Sequence, residues 1–534
     1  MNVPRRLRAL LVVVALGVTG CASTIAGRPT VSSGAAVAPA TGSSSPTTGP
    51  TTPSAGPTDD SGGPTTTSSQ PSNGSSTEPQ PPAREPDGAV GDDGIGDPYY
   101  PTAGNGGYEV SSYDVAIDYT PESNELIGTA TIAATVTEDS TLGRFNLDLQ
   151  PSMEVSSVEV GGEPASFEQD DAELVITPAT GLEPDTDFTV TVSYSGEPGT
   201  VSGGTAGLGD GGWHRTKSGG AVAAGEPFSA SSWYPVNEHP ADTATFQLTV
   251  TVPDEWSVIA NGVEFDGALP DPGDGKQSSR WTLDASIASY LTTLYIDKFT
   301  VTEDELDDGT PIVNAFAPGN DSDKKLATDT KKIIEVLSSY FGPYPFDAAG
   351  GIYTGEPIPF ALETATRPVY ADWVDTETIV HELAHQWYGD AVTVQRWSDI
   401  CLNECFASYA PWLWFENTEK ANLDEYWKSI MAGSPASDSY WSSPLVDMGA
   451  GNEFTMVYDR GPLAVHALRK EMGDKAFFQL LKEWPAKYSG RNATFDEWEE
   501  MASTIAGKDL GPFIDAWFRG TTKPAEKYLH PGGI

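Results

Sequence analysis

The sequence predicts an α+β protein in two folded parts: an N-terminal all-β, sandwich-like domain over residues 105–300, then a mainly helical domain over 301–534. Three observations predict it. Before residue 300 apolar residues recur at every second position, the period of a half-buried strand. Beyond it they recur at helical spacing. A hydrophobic content of 38%, with 55 glycines in 534 residues, supplies apolar mass for more than one core.

The amino end carries Arg5, Arg6 and Arg8, an apolar run at 10–16, and then Val18-Thr19-Gly20-Cys21. The run is too short to span roughly 30 Å of hydrocarbon, so residues 1–20 read as a signal peptide. The small residues ahead of Cys21 resemble a bacterial lipobox. That resemblance implies cleavage before Cys21, acylation of the cysteine, and a protein held on the outer face of the cell membrane by its lipid. A plain secretory signal with an incidental cysteine is the alternative. Residues 21–104 are expected to form a linker: 42 of the 50 residues in 31–80 are Ala, Gly, Pro, Ser or Thr, too little apolar surface to offset chain entropy.

Folded sequence is expected from about Tyr108. Tyr113, Val115, Ile117 and Tyr119 alternate with polar or small residues, as do Phe188, Val190 and Val192, and Phe246, Leu248, Val250 and Val252. Turn residues at Gly161-Gly162, Pro184-Asp185 and Gly203-Gly204 separate such runs, and the strands are expected to form sheets packed face to face. Then Leu326, Ile333, Ile334 and Leu337 mark one helical stripe, ended by Gly342-Pro343. Further helices are expected at 375–388, 398–416, 460–472, 474–484 and 495–505. Charge narrows the partners: 30 Lys+Arg against 76 Asp+Glu give a net charge of −46, which argues against nucleic acid and against a basic patch on anionic lipid. Three cysteines exclude a disulfide scaffold.

The chemistry lies in His381-Glu382-Leu383-Ala384-His385. Residues one helical turn apart share a face, so both imidazoles can reach one ion. Zinc accepts such a pair, with a third protein ligand and a water. Glu382 stands where it can take a proton from that water. Gly389 suits the residue that closes this helix. Eighteen residues separate His385 from Glu404; Ser398 is expected to cap a second helix that carries Glu404 to the third ligand position. Two histidines on a surface helix are the bland alternative.

His381-Glu-Leu-Ala-His-Gln-Trp-Tyr-Gly389, with Trp397-Ser-Asp and Leu402-Asn-Glu-Cys-Phe-Ala-Ser-Tyr409, resembles the gluzincin metallopeptidases of the aminopeptidase N type. Trp233-Tyr-Pro-Val-Asn-Glu-His-Pro-Ala-Asp242 and Phe341-Gly-Pro-Tyr-Pro-Phe-Asp347 extend the resemblance over roughly 105–530. It implies a thermolysin-like helical domain, one zinc per chain, and removal of N-terminal residues from peptides. Pro359-Phe-Ala-Leu-Glu-Thr364 falls where the family has its Gly-Ala-Met-Glu-Asn motif, which implies that Glu363 binds the substrate's α-ammonium. Glu226, in Gly225-Glu-Pro, resembles a second amine-binding acid. Tyr458 resembles the tyrosine that stabilises the oxyanion.

The chain departs from the pattern at Phe360 and Thr364, which replace Gly and Asn, and at Cys405, which replaces Gly. Cys401 and Cys405 form an i,i+4 pair, either two buried thiols or an awkward bridge. Larger relatives add a helical C-terminal domain, so a more open site admitting longer peptides is expected here. A thermolysin-like endopeptidase, an epoxide hydrolase and a non-catalytic surface-binding lipoprotein are the alternative functions on this scaffold. The preferred N-terminal residue and the oligomeric state are not encoded in these patterns.

Overall fold

The computed structural model describes residues 88–203 and 208–534. The expected signal peptide, Cys21 and most of the expected linker lie outside the described residues. Among the described residues no helix is long and apolar enough to cross a membrane.

The β-rich half is built on an eight-stranded sheet. Its middle strands are Lys276–Ala288, Thr243–Pro253, Tyr108–Thr120, Glu125–Val136, Asp187–Gly196 and Met153–Val160, in that order. The expected alternation holds: Val115, Ile117 and Tyr119 are buried, as are Val190, Val192, Leu248 and Val250. Side chains from a five-stranded and a four-stranded sheet fill the same apolar core; Trp213 and Leu294 come from the one, Phe145 and Ile176 from the other. Burying a half-polar sheet on one face requires such partner layers.

The second half opens with a sheet that the helical spacing did not foretell: Thr300–Glu305, Pro311–Phe316, Ala349–Tyr353 and Val369–Tyr370. Helices follow. Thr330–Phe341 buries Ile333, Ile334 and Leu337 and stops at Gly342, whose φ is +105°. Leu326, expected on that stripe, belongs to a separate short helix, Asp321–Ala327. Thr376–His385 is capped by the Asp375 side chain, which accepts from the Thr378 N–H at 2.9 Å. Ser398 caps nothing. It sits within the tight turn Trp397–Asp399, and the helix Cys401–Ala407 begins from Ile400 with no side-chain cap. The helix expected at 398–416 is thus that turn followed by two helices, Cys401–Ala407 and Ala410–Glu419. Gly461–Met472, Asp474–Tyr488 and Phe495–Ala506 complete the expected set.

The stretch 88–107, most of which composition had assigned to the linker, belongs to the fold. Ala89–Val90 pairs with Leu142–Asp148. Asp97 is buried; one of its oxygens accepts from His239 Nε2 at 3.1 Å and from the Trp397 N–H at 2.9 Å. The Tyr99 hydroxyl donates to Asp447 at 2.8 Å and accepts from the Gly449 N–H at 2.7 Å. Tyr100 packs edge-on against both Phe228 and Trp397. A few polar and aromatic residues in a Gly/Pro-rich run were enough to order it.

Two hydrophobic cores meet around residues 358–371. Ile358, Phe360 and Leu362 join the core of the β-sheets, while Tyr290 and Leu291 of the β-rich half join the core of the helices. The functional residues lie along this junction.

Candidate active site

His381, Glu382 and His385 are all buried on the helix Thr376–His385. The chain leaves this helix through the wide turn Gln386–Asp390, in which the Tyr388 carbonyl accepts from His385 Nδ1 at 2.9 Å. That bond fixes the tautomer and leaves Nε2 with its lone pair free. Gly389 is needed here, though not as the simple helix-closing residue expected. Its φ is +138°, and a Cβ would stand 3.1 Å from His385 Nδ1.

Glu404, on the helix Cys401–Ala407, reaches the same point. Its Oε2 lies 3.2 Å from His381 Nε2 and 3.5 Å from His385 Nε2, and the two nitrogens are 3.1 Å apart. Glu404 Oε2 has no aligned donor. Three lone-pair atoms facing one another at such distances form a triangle like one face of a zinc tetrahedron, where ligands at about 2.0–2.1 Å stand about 3.3 Å apart. The donor set fits the ion that the sequence implied.

Tyr458 precedes the helix Gly461–Met472 and donates from its hydroxyl to Glu404 Oε1 at 3.2 Å. Glu363 accepts from the Tyr290 hydroxyl at 3.4 Å. Glu226 is buried, and its Oε1 has no partner. All seven expected residues, His381, Glu382, His385, Glu404, Tyr458, Glu363 and Glu226, line one cavity of about 50 Å³. Its other side is apolar, from Leu208, Phe360, Leu362 and Trp373. Phe360, one of the departures, is buried against the β-core and meets the His214 ring edge-on. Thr364, the other, donates from Oγ1 to the Arg367 carbonyl at 2.6 Å and closes its own turn.

Charge is concentrated to an unusual degree. Burial pushes Glu226, Glu363 and Glu382 upward, and neighbouring carboxylates push the same way although His385 opposes them. Burial acts on Glu404 as well, but the two imidazoles overcome it and hold that carboxyl well below its usual range. His381 is pushed down by burial, whereas Glu363 and Glu404 outweigh burial at His385 and raise it. Burial and the Glu404 charge hold the Tyr458 hydroxyl protonated far above its ordinary range. Among the described residues no Lys or Arg pairs with these acids. A divalent cation between the imidazoles and Glu404 would offset their repulsion.

Spacing did not reveal Tyr290, Gln386 or Asp390. Tyr290 lies 73 positions before Glu363, and its short context, Ser289-Tyr-Leu, is that of any core tyrosine. Gln386 directly follows the second histidine and Asp390 lies five positions after it, a placement that was their only available signal. Between the two cysteines a disulfide joins Cys401 to Cys405. Their Cα atoms are 4.8 Å apart, inside the span a bridge accepts, so of the two expected alternatives the pair takes the bridge rather than two free thiols. A Cβ at Gly461 would stand 2.8 Å from the Cys405 sulfur.

Comparison with known proteins gives a consistent picture. The peptidase family M1 domain matches residues 351–517 and the peptidase M1 N-terminal domain matches 109–291. The probable aminopeptidase 2 of Sulfurisphaera tokodaii is 27% identical over 322 residues, 55% of this chain and 40% of that protein. Aminopeptidase N of Streptomyces lividans is 26% identical over 319 residues, 52% of this chain and 36% of that protein. The chain thus spans about two fifths of the length of such curated relatives. Among solved structures, an M1 zinc metallopeptidase from Deinococcus radiodurans superposes with a TM-score of 0.73 at 27% identity, covering 81% of this chain and 98% of that one. A variant of it bound to a Tyr-Ser-Ala substrate gives a TM-score of 0.72 at 27% identity, covering 83% and 100%.

Proposed function

Because the chain belongs to peptidase family M1, matched by both its N-terminal and its catalytic domain, we propose that it is a zinc-dependent aminopeptidase removing N-terminal residues from peptides. One observation carries this reading. The His381–His385–Glu404 donor triangle and two buried carboxylates with no Lys or Arg paired to them among the described residues, Glu363 and Glu226, face one cavity. The triangle suits a metal. The two acids suit the α-ammonium at the end of a peptide, which is the group an exopeptidase must find.

His381, His385 and Glu404 would hold the zinc, which when bound polarises the scissile carbonyl and acidifies water. Glu363 and Glu226 take the substrate's ammonium, and the first peptide bond is then set beside Glu382. Glu382 accepts the proton of the attacking water and passes it to the departing amine; burial raises its affinity for that proton. Tyr458, held protonated, donates to the carbonyl oxygen as negative charge grows there.

Glu382→Gln is expected to lower kcat/KM by about 10³-fold or more with one zinc still bound per chain, measured by arylamide hydrolysis and elemental analysis. Near-normal turnover would overturn the assignment. Equal cleavage of an N-acetylated and a free peptide would point to an endopeptidase. We also propose that the protein is exported and held by lipid on Cys21 at the outer face of a bacterial membrane. The support is sequence alone: Arg5, Arg6 and Arg8, the apolar run, and Val18-Thr-Gly-Cys21. Mass spectrometry of the mature amino end tests it; an unmodified Cys21 rules the anchor out.

A further inference from the structure

Gln386 is fully buried next to a metal-site histidine, and every hydrogen-bonding position of its amide is used. Nε2 donates to the Glu363 carbonyl at 3.0 Å and to Asp390 Oδ2 at 2.6 Å. Oε1 accepts from the Thr366 N–H at 2.8 Å and from the Tyr344 hydroxyl at 3.3 Å. Two of these bonds straddle the turn 363–366, one at each end. That turn is not relaxed by itself: Thr366 has φ +67°, a left-handed conformation costly for a β-branched residue. The β-rich half grips the same turn from its other side, with Asn261 Nδ2 on the Ala365 carbonyl at 2.7 Å and the Gly262 N–H on Thr366 Oγ1 at 2.8 Å.

Resting on the aminopeptidase reading, we propose that Gln386 is a positioning residue for amine recognition. It ties the Glu363 backbone to the residue that follows His385, and so sets the distance between the carboxylate that finds the chain end and the centre that cuts. That distance decides whether one residue is counted off. Gln386 itself touches neither the donor triangle nor the substrate in this role; it acts through Glu363.

The test is a double-mutant cycle on the zinc-loaded enzyme with an aminoacyl arylamide and its N-acetyl counterpart. Gln386→Met keeps the volume and removes all four hydrogen bonds. It is expected to raise KM for the free amine about tenfold, with a smaller change in kcat, to erode the preference for the free over the acetylated substrate by a similar factor, and to leave zinc at one per chain. In a Glu363→Ala background the same substitution should change kcat/KM by less than about twofold, because its route of action is gone. Should the methionine variant fail to fold, Gln386→Glu retains an acceptor for Thr366 and puts a carboxyl oxygen in place of the amide that donates to the Glu363 carbonyl; the same loss of preference is expected. Equal losses on both substrates, or effects that multiply fully with Glu363→Ala, would overturn the proposal. A wild-type enzyme that shows no preference for the free amine would instead overturn the aminopeptidase reading, and the proposal with it.

Discussion

At the scale of single residues, the centre combines side chains whose chemistry constrains their type with others whose only constraint is place. The grouping of His381, His385 and Glu404 could be read from the sequence because the metal ligation proposed for them constrains both the residue types and, through the helix, the spacing of the first two. Glu382 came with them. Glu363, Glu226 and Tyr458 were legible only through resemblance, since a lone acid or tyrosine carries no spacing of its own. Tyr290 and Gln386 were not legible, because hydrogen bonds across tens of residues leave no periodic mark. The crowding of buried acids carries a further expectation. Withdrawing the metal leaves Glu404, Glu363, Glu226 and Glu382 facing one another without their counter-charge. Dialysis against a chelator is therefore expected to abolish turnover and to lower the melting temperature. Added zinc should restore both, since a ligand at a hundred times its Kd stabilises by about 2.7 kcal/mol. An unchanged melting temperature in scanning calorimetry would argue against a metal at this point.

At the scale of elements, the helix bearing the two histidines was expected where it stands because the metal-ligand spacing itself demands a helix; the Asp375 cap that starts it is visible only in the structure. The shape of its exit was not expected, since the wide turn Gln386–Asp390 is shaped by hydrogen bonds to His385 rather than by propensity. The sheet that opens the helical half escaped for two opposite reasons. Thr300–Glu305 is exposed along its whole length, so it shows no alternation, and Ala349–Tyr353 is wholly buried and carries two glycines. Behind the catalytic helices, His466 on Gly461–Met472 bonds Tyr409 through Nδ1 at 2.9 Å and Asp424 through Nε2 at 3.0 Å. Burial outweighs Asp424 and holds the imidazole down to about 4, from an ordinary 6.5. The unfolded chain then takes up this proton first, so the contribution of His466 is intact above pH 6.5 and is lost as pH falls towards 4. The swing amounts to about 3 kcal/mol at 1.36 kcal/mol per pH unit. Comparing denaturation midpoints of wild type and His466→Gln between pH 7 and 4 should show a flatter acid limb in the variant; parallel curves would reject this account.

At the scale of the whole molecule, the two halves share their working parts. The segment leading into Glu363 belongs by sequence to the helical half, yet its Ile358, Phe360 and Leu362 pack on the core of the β-sheets, while Tyr290 does the reverse. Glu226 comes from the β-rich half and His381, His385 and Glu404 from the other, and all reach one cavity. Hydrophobic periodicity foretold a β-rich half followed by a helical one, because strand and helix periods differ so plainly on either side of residue 300, whereas composition set the expected start of the fold. Composition misjudged where folding begins, since Gly- and Pro-rich sequence is ordered here by a few specific bonds.

That early stretch has a practical corollary. Asp97 and Tyr99 are bonded to backbone groups 300 and 350 positions downstream, and so work as a stitch through both halves. Shortening the protein up to residue 87 leaves the stitch in place. Shortening it through 107 would strip Trp397, His239 and Gly449 of their acceptor at once, so the natural place to trim lies just ahead of Gly88.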